Sequence, residues 1–503
     1  FWENSKKDEL VFLLNNMEPV YSNVLNNLLI ESLLINSLPP KDFEQDAFNY
    51  IKVNNLVKLG KRDKAFEIIN NIENDSEYFD FYNLIRLKYY FTKYDLIQAC
   101  DYSNSFDRKI SQIDENFLLK VDIFCTFIKD RKEESIFLNS LLLDTDDRDE
   151  YFQKIFLNLL NLDKSTIDIN KNNYDAEAMS LYSAMLRVGD MPLNENFLEY
   201  DSVNFAIPIV LSGSSEISLR LKAAHRAYNK GVFNAESMSA LYQTVDFSYD
   251  QLNNSDFLPT ELNQNVELSM AFLFQKAGIQ LLPITRLETL SDFWIFAESN
   301  NFEILANDVS RSLIESIEPS PELLEHGILI AKAHVHNNNF ELAEKWISFY
   351  ENYEDDTLDY LEKINSVKLL YNLKTAKNEN EFADILKKIN FNSSNQALKK
   401  QEIYNTILSV IDNELNDTNI LDKPLIDNRS MPSSYLINKI KDSVQKNNFG
   451  ELILAINISM IDKDWNATHP EHIKLILSAL KESFTEDIFN KLIIEILQES
   501  NII

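Results

Sequence analysis

The sequence predicts an all-α fold, an α-solenoid built from stacked helix hairpins. Apolar residues recur at helical spacing through most of the 503 residues, hairpin-like patterns return along the chain, and there are only 7 glycines and 12 prolines. Folds rich in tight turns need more glycine and proline, whereas long helices joined by short polar loops need few. Because one helix hairpin cannot bury its apolar face alone, each pair needs neighbours of the same kind.

Residues 48–72 illustrate the repeating unit. Apolar residues lie at helical spacing on both sides of Gly60, which predicts two amphipathic helices. Gly60 suits the left-handed residue that ends the first helix, and Asp63 suits a cap near the start of the second. The small side chain of Ala65 would let the two helices approach closely.

Residues 1–162 are predicted to form N-terminal helical repeats. Pairs of apolar helical patterns follow one another, separated by polar or proline-containing breaks, and a single helix closes the region. The pairs lie at 9–38, 48–72, 77–104 and 115–143, and the last helix lies at 151–162. Asp63 and Asp95 are 32 residues apart, which is close to the period of a 34-residue helical repeat.

Residues 163–411 are predicted to form central helical repeats. A polar loop at 163–173 precedes a helix at 176–188, a less regular stretch at 193–211 and a hairpin at 217–245. The second half of the chain contains an internal echo, in which polar turn residues precede a phenylalanine and an apolar helix. Its four copies begin at Asn300, Asn338, Asn380 and Asn447.

The end of the chain contains the longest candidate loop or linker, residues 412–434, with Pro424 and Pro432. Residues 435–503 are then predicted to form C-terminal helical repeats. This periodicity leaves two arrangements open: one curved solenoid, or two helical lobes divided near residues 163–215.

The charge balance bears on partners and location. The chain has 48 basic and 79 acidic residues and a net charge of −31, so we expect no nucleic-acid binding and, if anything, a preference for basic proteins or peptides. No apolar run reaches the roughly 18 to 20 residues of a membrane span, which leaves peripheral envelope association possible. Because the chain opens on Phe1 rather than Met, we expect that a signal peptide was removed.

The sequence shows no catalytic residues, no cofactor-binding residues and no metal ligands. A nucleophile elbow, a phosphate-binding loop and a zinc-binding helix pattern are all missing. His469 and His472 are three residues apart and could share a helix face. However, Pro470 places His469 at a helix start, where a capping or exposed position is expected instead. Any ligand-binding residues stay unknown at this stage.

The tryptophans give a weak indication of exposure. Trp294 and Trp346 lie within apolar helical patterns, so we expect both in the core. Trp465 lies in a polar stretch and is the more plausible exposed aromatic side chain. One exposed tryptophan does not make a binding site.

The two cysteines are predicted to form a disulfide. Cys100 lies on the second helix of one predicted hairpin and Cys125 on the first helix of the next, and consecutive antiparallel helices could bring them together. A disulfide would indicate an oxidising compartment. The alternative is two buried free thiols in a cytosolic core.

The hairpins of the first 145 residues, above all LGKRDKAFEII at 59–69, resemble tetratricopeptide-like repeats. The wider pattern is similar to an uncharacterised helical family found mainly in alphaproteobacteria. That similarity rests on packing segments that span most of the chain: Leu96–Cys100, Asp122–Ile128, Ala178–Asp190, Ser239–Ser248 and Asp464–Leu480. The resemblance implies an exported envelope protein. Some members have the loose label "antifreeze", which this sequence does not support because it lacks a regular Thr or Ala array.

These observations favour a non-enzymatic helical-repeat scaffold or adaptor that binds other proteins in the bacterial periplasm or cell envelope. Stacked hairpins leave a concave surface whose side chains are free to vary. Two alternatives remain: a structural subunit of a surface appendage or envelope machine, and the superhelical part of a peptidoglycan-acting enzyme. A cytoplasmic location is the alternative to the envelope, and no cofactor is expected.

Overall fold

The structure is a computed structural model of the 503-residue chain. It describes residues 1–72, 76–106, 111–145, 149–167, 174–253, 262, 264–353, 358–388, 397–411, 429–500 and 502–503. Within these ranges the chain forms 27 α-helices and two short 3-10 segments. Extended pairing in the same ranges is limited to one isolated bridge between Ser430 and Thr468. The predicted all-α class is confirmed.

Neighbouring helices pair along the chain, as a helical-repeat fold requires. The 3-10 segments are Ala176–Ala178 and Pro321–Leu323. The α-helices are α1 Lys7–Asn15, α2 Asn23–Leu34, α3 Gln45–Lys58, α4 Arg62–Ile69, α5 Phe79–Lys93, α6 Leu96–Asn104, α7 Glu115–Ile128, α8 Lys132–Leu143, α9 Glu150–Asn161, α10 Met179–Val188, α11 Asn196–Tyr200, α12 Ala206–Leu211, α13 Ile217–Asn229, α14 Ala235–Gln243, α15 Tyr249–Leu252, α16 Val266–Gly278, α17 Pro283–Ser299, α18 Glu303–Ile314, α19 Gly327–His336, α20 Phe340–Glu351, α21 Leu358–Thr375, α22 Glu379–Leu386, α23 Ala397–Ile411, α24 Ser434–Gln445, α25 Phe449–Ser459, α26 Pro470–Ser483 and α27 Glu486–Glu499.

One turn construction recurs between paired helices. A left-handed residue ends the first helix, and the next N–H donates to a carbonyl five residues back, which is the Schellman closure. In the hairpin around Gly60, that residue has φ +75° and the Lys61 N–H lies 2.8 Å from the Leu56 carbonyl. The same combination recurs at Tyr94, Asp130, Leu162, Asp190, Gly231, Asn301, Asn338 and Asn447. The left-handed position predicted for Gly60 is confirmed.

The internal echo of the second half reflects this closure in three of its four copies. Asn301, Asn338 and Asn447 have φ values of 63°, 56° and 54°, and in each case an apolar helix starts two residues later. Asparagine tolerates the left-handed region better than most side chains. The copy at Asn380 differs, because that residue already lies inside α22, whose N-cap is Asn378.

One capping prediction is wrong in its position. Lys61 is the N-cap of α4, and its side chain makes no capping hydrogen bond. Asp63 lies inside the first turn of α4 instead, where its charge still suits the positive end of the helix. Ala65 is fully buried, as the predicted close packing of the hairpin requires.

Contacts divide the chain into two compact units, Leu56–Lys276 and Phe1–Asn55 with Ala277–Ile503. This division falls at positions other than the boundaries at 162/163 and 411/412, and other than the lobe division near 163–215. Those sequence-based segments stay a prediction about repeats. Most of the predicted linker 412–434 lies outside the described residues, which resume at Arg429.

The unit Leu56–Lys276 contains consecutive packed helices. α5 packs against α4, α6 and α10, and α7 packs against α6 and α8. The turn at Gly60 lies directly on Val203, so that a Cβ atom at position 60 would come within 1.9 Å of Val203 Cγ1. The left-handed backbone and this contact together require glycine there.

The other unit joins the first helices of the chain to the last. α1 and α2 pack against α25, and α2 also packs against α27. The Lys439 ammonium of α24 donates to Glu9 of α1 and lies 2.6 Å from Glu451 of α25. The hydrogen bond from Lys439 holds the pKa of the Glu9 carboxyl below its usual value.

Trp294 and Trp346 are buried in this unit, which confirms the prediction for both.

Candidate functional site

A buried ionic network lies within the unit Leu56–Lys276. The Lys120 ammonium of α7 lies 2.8 Å from a carboxylate oxygen of Asp149 and 3.2 Å from one of Asp175. The Tyr182 hydroxyl of α10 donates to Asp149 and accepts from the Asp175 backbone N–H at 3.1 Å. The Lys120 and Asp149 side chains are only 1% and 3% exposed, so a substrate in solvent has no access to this pair.

This network connects helix ends. Asp149 caps α9, and Asp175 caps the 3-10 segment before α10, each by accepting a backbone N–H. Burial, and then the Asp149 carboxylate, raise the pKa of Tyr182 far above its usual value, so the phenol keeps its proton and keeps donating. The arrangement positions α7, α9 and α10 and offers no open reaction site.

A buried carboxylate connects a helix to the end of another helix in the unit Phe1–Asn55 with Ala277–Ile503. Glu495 of α27 accepts hydrogen bonds from the Ser22 hydroxyl, from the Val24 N–H at 2.9 Å and from the Trp465 indole N–H at 3.0 Å. Ser22 is the N-cap of α2, so this carboxylate lies at the positive end of that helix. Trp465 is 1% exposed. The predicted exposure of Trp465 is therefore wrong, because its polar N–H has a buried partner.

Glu499 lies one turn after Glu495 and titrates in an unusual range. Burial, followed by the carboxylates of Glu495 and Asp464, raises the pKa of Glu499 to about 8. A carboxyl with a raised pKa in the folded state contributes stability below its unfolded pKa, and this contribution is lost as the pH rises through the folded pKa. This unit is therefore expected to lose stability between about pH 5 and pH 8.

The Glu499→Gln variant tests this pH dependence. We expect it to unfold at the same temperature as the wild type near pH 5 and at a higher temperature at about pH 8, because the amide cannot ionise beside Glu495 and Asp464. Thermal unfolding at the two pH values measures the effect. Glu482→Gln, which changes an exposed carboxylate on α26, is the control and should behave as the wild type. Equal pH dependence in Glu499→Gln and the wild type would contradict the assignment.

Cys100 on α6 and Cys125 on α7 are brought together in the structure. Their Cα atoms are 5.5 Å apart, their sulfur atoms are at bonding distance, 1.98 Å, and both side chains are buried. α6 packs against α7, which is the interface that the sequence pattern indicated. The connecting segment 106–114, which has to absorb the offset between the helices, lies partly outside the described residues.

Reduction of this pair is expected to lower the free energy of unfolding by about 3 kcal/mol, since the bond closes a loop of 25 residues. Denaturant unfolding with and without reductant measures the difference. The double variant Cys100→Ser/Cys125→Ser is the control and should be insensitive to reductant. Thiol titration of unfolded, unreduced protein from its native compartment should find no free thiol, and two reactive thiols would refute the bridge.

The histidines occupy separate structural positions. The ring of His225 hydrogen-bonds to the Tyr242 hydroxyl at 2.8 Å, and that of His472 to the Ser459 hydroxyl at 2.8 Å. Burial lowers the pKa of both rings to about 3, so both are neutral near pH 7. His469 caps α26, which confirms the capping expectation. Among the described residues, no group of three or more His, Cys, Asp or Glu side chains is arranged to hold a metal ion.

An open groove of about 430 Å³ lies between α24 and α26. Ile440 and Leu475 contribute apolar surface to its lining. Lysine and glutamate side chains, among them Lys441 and Glu471, both line it, so the groove shows no clear preference for the charge of a ligand.

Helix α8 buries its more polar side. Its buried residues are Ser135, Asn139 and Leu142. The amide of Asn139 pairs with that of Gln153 on α9 through two hydrogen bonds of 2.9 Å. This inward contact satisfies polar groups and leaves most of the large side chains of α8 on the other side.

The opposite side of α8 is apolar and exposed. We define the α8 outer face as Ile136, Phe137, Ser140, Leu141 and Leu143. Its four apolar members are 49%, 61%, 42% and 59% exposed in chain order. At about 100° per residue they flank Ser140 on both sides, so the small serine lies in a shallow groove along the helix.

A carboxylate lies at each end of the α8 outer face. Glu133 and Asp144 are exposed and lie 11 residues apart, which is about three helical turns, so they project from the same side of α8. Neither carboxylate has a salt-bridge partner among the described residues, whereas the neighbouring Glu134 pairs with Arg131 at 2.8 Å. Within the described ranges, the face is therefore an apolar stripe between two carboxylates that form no salt bridge.

The sequence pattern alone does not show that this face is exposed. A signal was available, because α8 has more large apolar residues than a single buried stripe holds.

No family model, curated protein or solved structure matches this chain significantly. The resemblance to a mainly alphaproteobacterial envelope family therefore stays a prediction. None of the helices in the described ranges combines the length and apolarity that crossing a membrane requires.

Proposed function

We propose that this protein is a non-enzymatic helical-repeat scaffold or adaptor that mediates protein–protein interactions. The α8 outer face is the observation that supports the proposal most directly. A helix that buries Ser135 and Asn139 while exposing Phe137 and Leu141 leaves apolar area in water, and a docked partner removes that area from water. Aromatic and aliphatic side chains of this kind are typical of interface cores.

The proposed compartment is the bacterial periplasm or cell envelope. The proximity of Cys100 and Cys125 supports it, because disulfides persist in oxidising compartments. Free thiols in native material would favour the cytoplasmic alternative.

A structural subunit of a surface appendage or envelope machine is the second candidate. Exposed apolar faces also support self-assembly, which is the observation that favours this candidate. The superhelical part of a peptidoglycan-acting enzyme has less support, because the buried Lys120 network and the Glu495 site are closed to solvent or engaged at helix ends.

Affinity capture from native envelope extract tests the proposal. We compare the wild type with Phe137→Ala/Leu141→Ala and with the control Ile295→Ala, which removes a side chain 53% exposed on α17. The wild type and the control should retain the same discrete partner, and the double variant should lose it. Retention of the same proteins by all three would contradict a role for this face, and capture of the chain by itself would favour the appendage subunit.

A further inference from the structure

We propose that the α8 outer face binds an amphipathic helix of another protein, in which an apolar stripe lies between two basic residues about three turns apart. This inference rests on the proposed function and specifies the partner that the face accepts. The apolar groove over Ser140 and the carboxylates of Glu133 and Asp144 are the observations behind it.

The shape of the face selects a helical partner. The backbone groups of α8 are hydrogen-bonded within the helix, so the face has no free sheet edge to which an extended peptide could add. A docked segment must satisfy its own backbone groups, which a helix does. Because the Ser140 side chain is small, a row of side chains on the partner helix can pack against α8 at this position. The Ser140 hydroxyl donates to the Phe137 carbonyl at 2.6 Å, so it needs no hydrogen bond from the partner.

The charges of the face select basic flanks. Glu133 and Asp144 are separated by 11 residues, or about 16 Å along the helix axis. Lysine or arginine at a similar spacing on the partner would meet both carboxylates while apolar residues fill the groove. The net charge of −31 adds long-range attraction for a basic segment.

A second copy of this chain fits this face poorly. Two copies paired through α8 with antiparallel helices place Glu133 against Asp144, and parallel helices place each carboxylate against itself. Each copy also carries the same net charge of −31. A membrane with anionic lipids is repelled for the same reason.

Fluorescence anisotropy with two labelled helical peptides of about 15 residues tests the inference on the full chain. Both peptides have the same leucine stripe, and one has lysine and the other glutamate at the two flanking positions. We expect the lysine peptide to bind at least 10-fold more tightly, with a difference that shrinks as salt is added. Phe137→Ala/Leu141→Ala should weaken its binding at least 10-fold, and Ile295→Ala should not.

The charge-reversed variant Glu133→Lys/Asp144→Lys should prefer the glutamate peptide, and circular dichroism checks that it folds. Equal binding of both peptides by the wild type would overturn the inferred preference for basic flanking residues and leave the proposed function intact. Binding of neither peptide, a dimer in sedimentation that Phe137→Ala/Leu141→Ala abolishes, or binding to anionic lipid vesicles through this face would each overturn the inference. The last two outcomes would identify a second copy or a membrane as the occupant.

Discussion

Lys120→Ala is expected to lower the free energy of unfolding of the unit Leu56–Lys276 by about 3 to 5 kcal/mol. The substitution removes the ammonium that lies 2.8 Å from the buried Asp149 carboxylate and 3.2 Å from that of Asp175. Removing one partner of a buried ion pair costs more than removing one partner of an exposed pair. Denaturant unfolding followed by circular dichroism measures the change, and hydrogen exchange should locate it in α7, α9 and α10.

Two further variants separate charge from packing at this site. Lys154→Ala removes an exposed lysine of α9 and should change the free energy of unfolding by no more than about 0.5 kcal/mol. Lys120→Met/Asp149→Asn removes both charges but keeps volume and the cap, and should recover part of the loss. Lys120→Ala with the stability of the wild type would show that the network does not hold the helices together.

Trp2→Ala is expected to lower the free energy of unfolding of the unit Phe1–Asn55 with Ala277–Ile503 by about 3 to 5 kcal/mol. Trp2 is fully buried, its ring lies 5.8 Å from that of Phe48, and it packs on Gly450 of α25. The substitution would leave a cavity where the first residues of the chain meet α25. Hydrogen exchange should show early loss of protection in α1.

The contact of Trp2 with Gly450 offers a cross-check. A Cβ atom at position 450 would come within 2.2 Å of the Trp2 ring, so Gly450→Ala should cost about 1 to 3 kcal/mol by overpacking. In the double variant the two costs should be less than additive, because the missing indole makes room for the methyl group. Phe12→Ala, at a site 53% exposed, is the control and should cost less than about 1 kcal/mol. Strict additivity would indicate that the two residues do not act together.

Several features of the fold could be read from local sequence. The turn at Gly60 follows from apolar spacing on both sides and from a residue suited to the left-handed region, and α3 ends two residues before it. A helix end of this kind depends on residues within one or two helical turns, so the neighbouring sequence is almost sufficient to predict it. The proximity of Cys100 and Cys125 could also be predicted from the sequence, because consecutive helices of a repeat pack together.

Features that depend on distant segments could not be read in this way. Trp465 lies in a polar stretch, yet Glu495 lies 30 residues later and supplies the buried partner for its indole N–H. The contact of Trp2 with Gly450 joins opposite ends of the chain, and no periodicity in either segment indicates the other. Such pairings decide burial, and burial decides whether a polar group needs a partner.

By itself the sequence determined that the chain is helical, where its hairpins turn and that its charge is strongly negative, because local backbone preference and composition suffice for these properties. The tertiary structure alone decided which side of α8 is buried. The apolar residues of α8 occupy more than one side of the helix, and only the packed neighbours, including Gln153 against Asn139, show that Phe137 and Leu141 remain in solvent. The candidate surface therefore arises from the choice of the buried side, which depends on contacts between helices and not on the sequence of α8 alone.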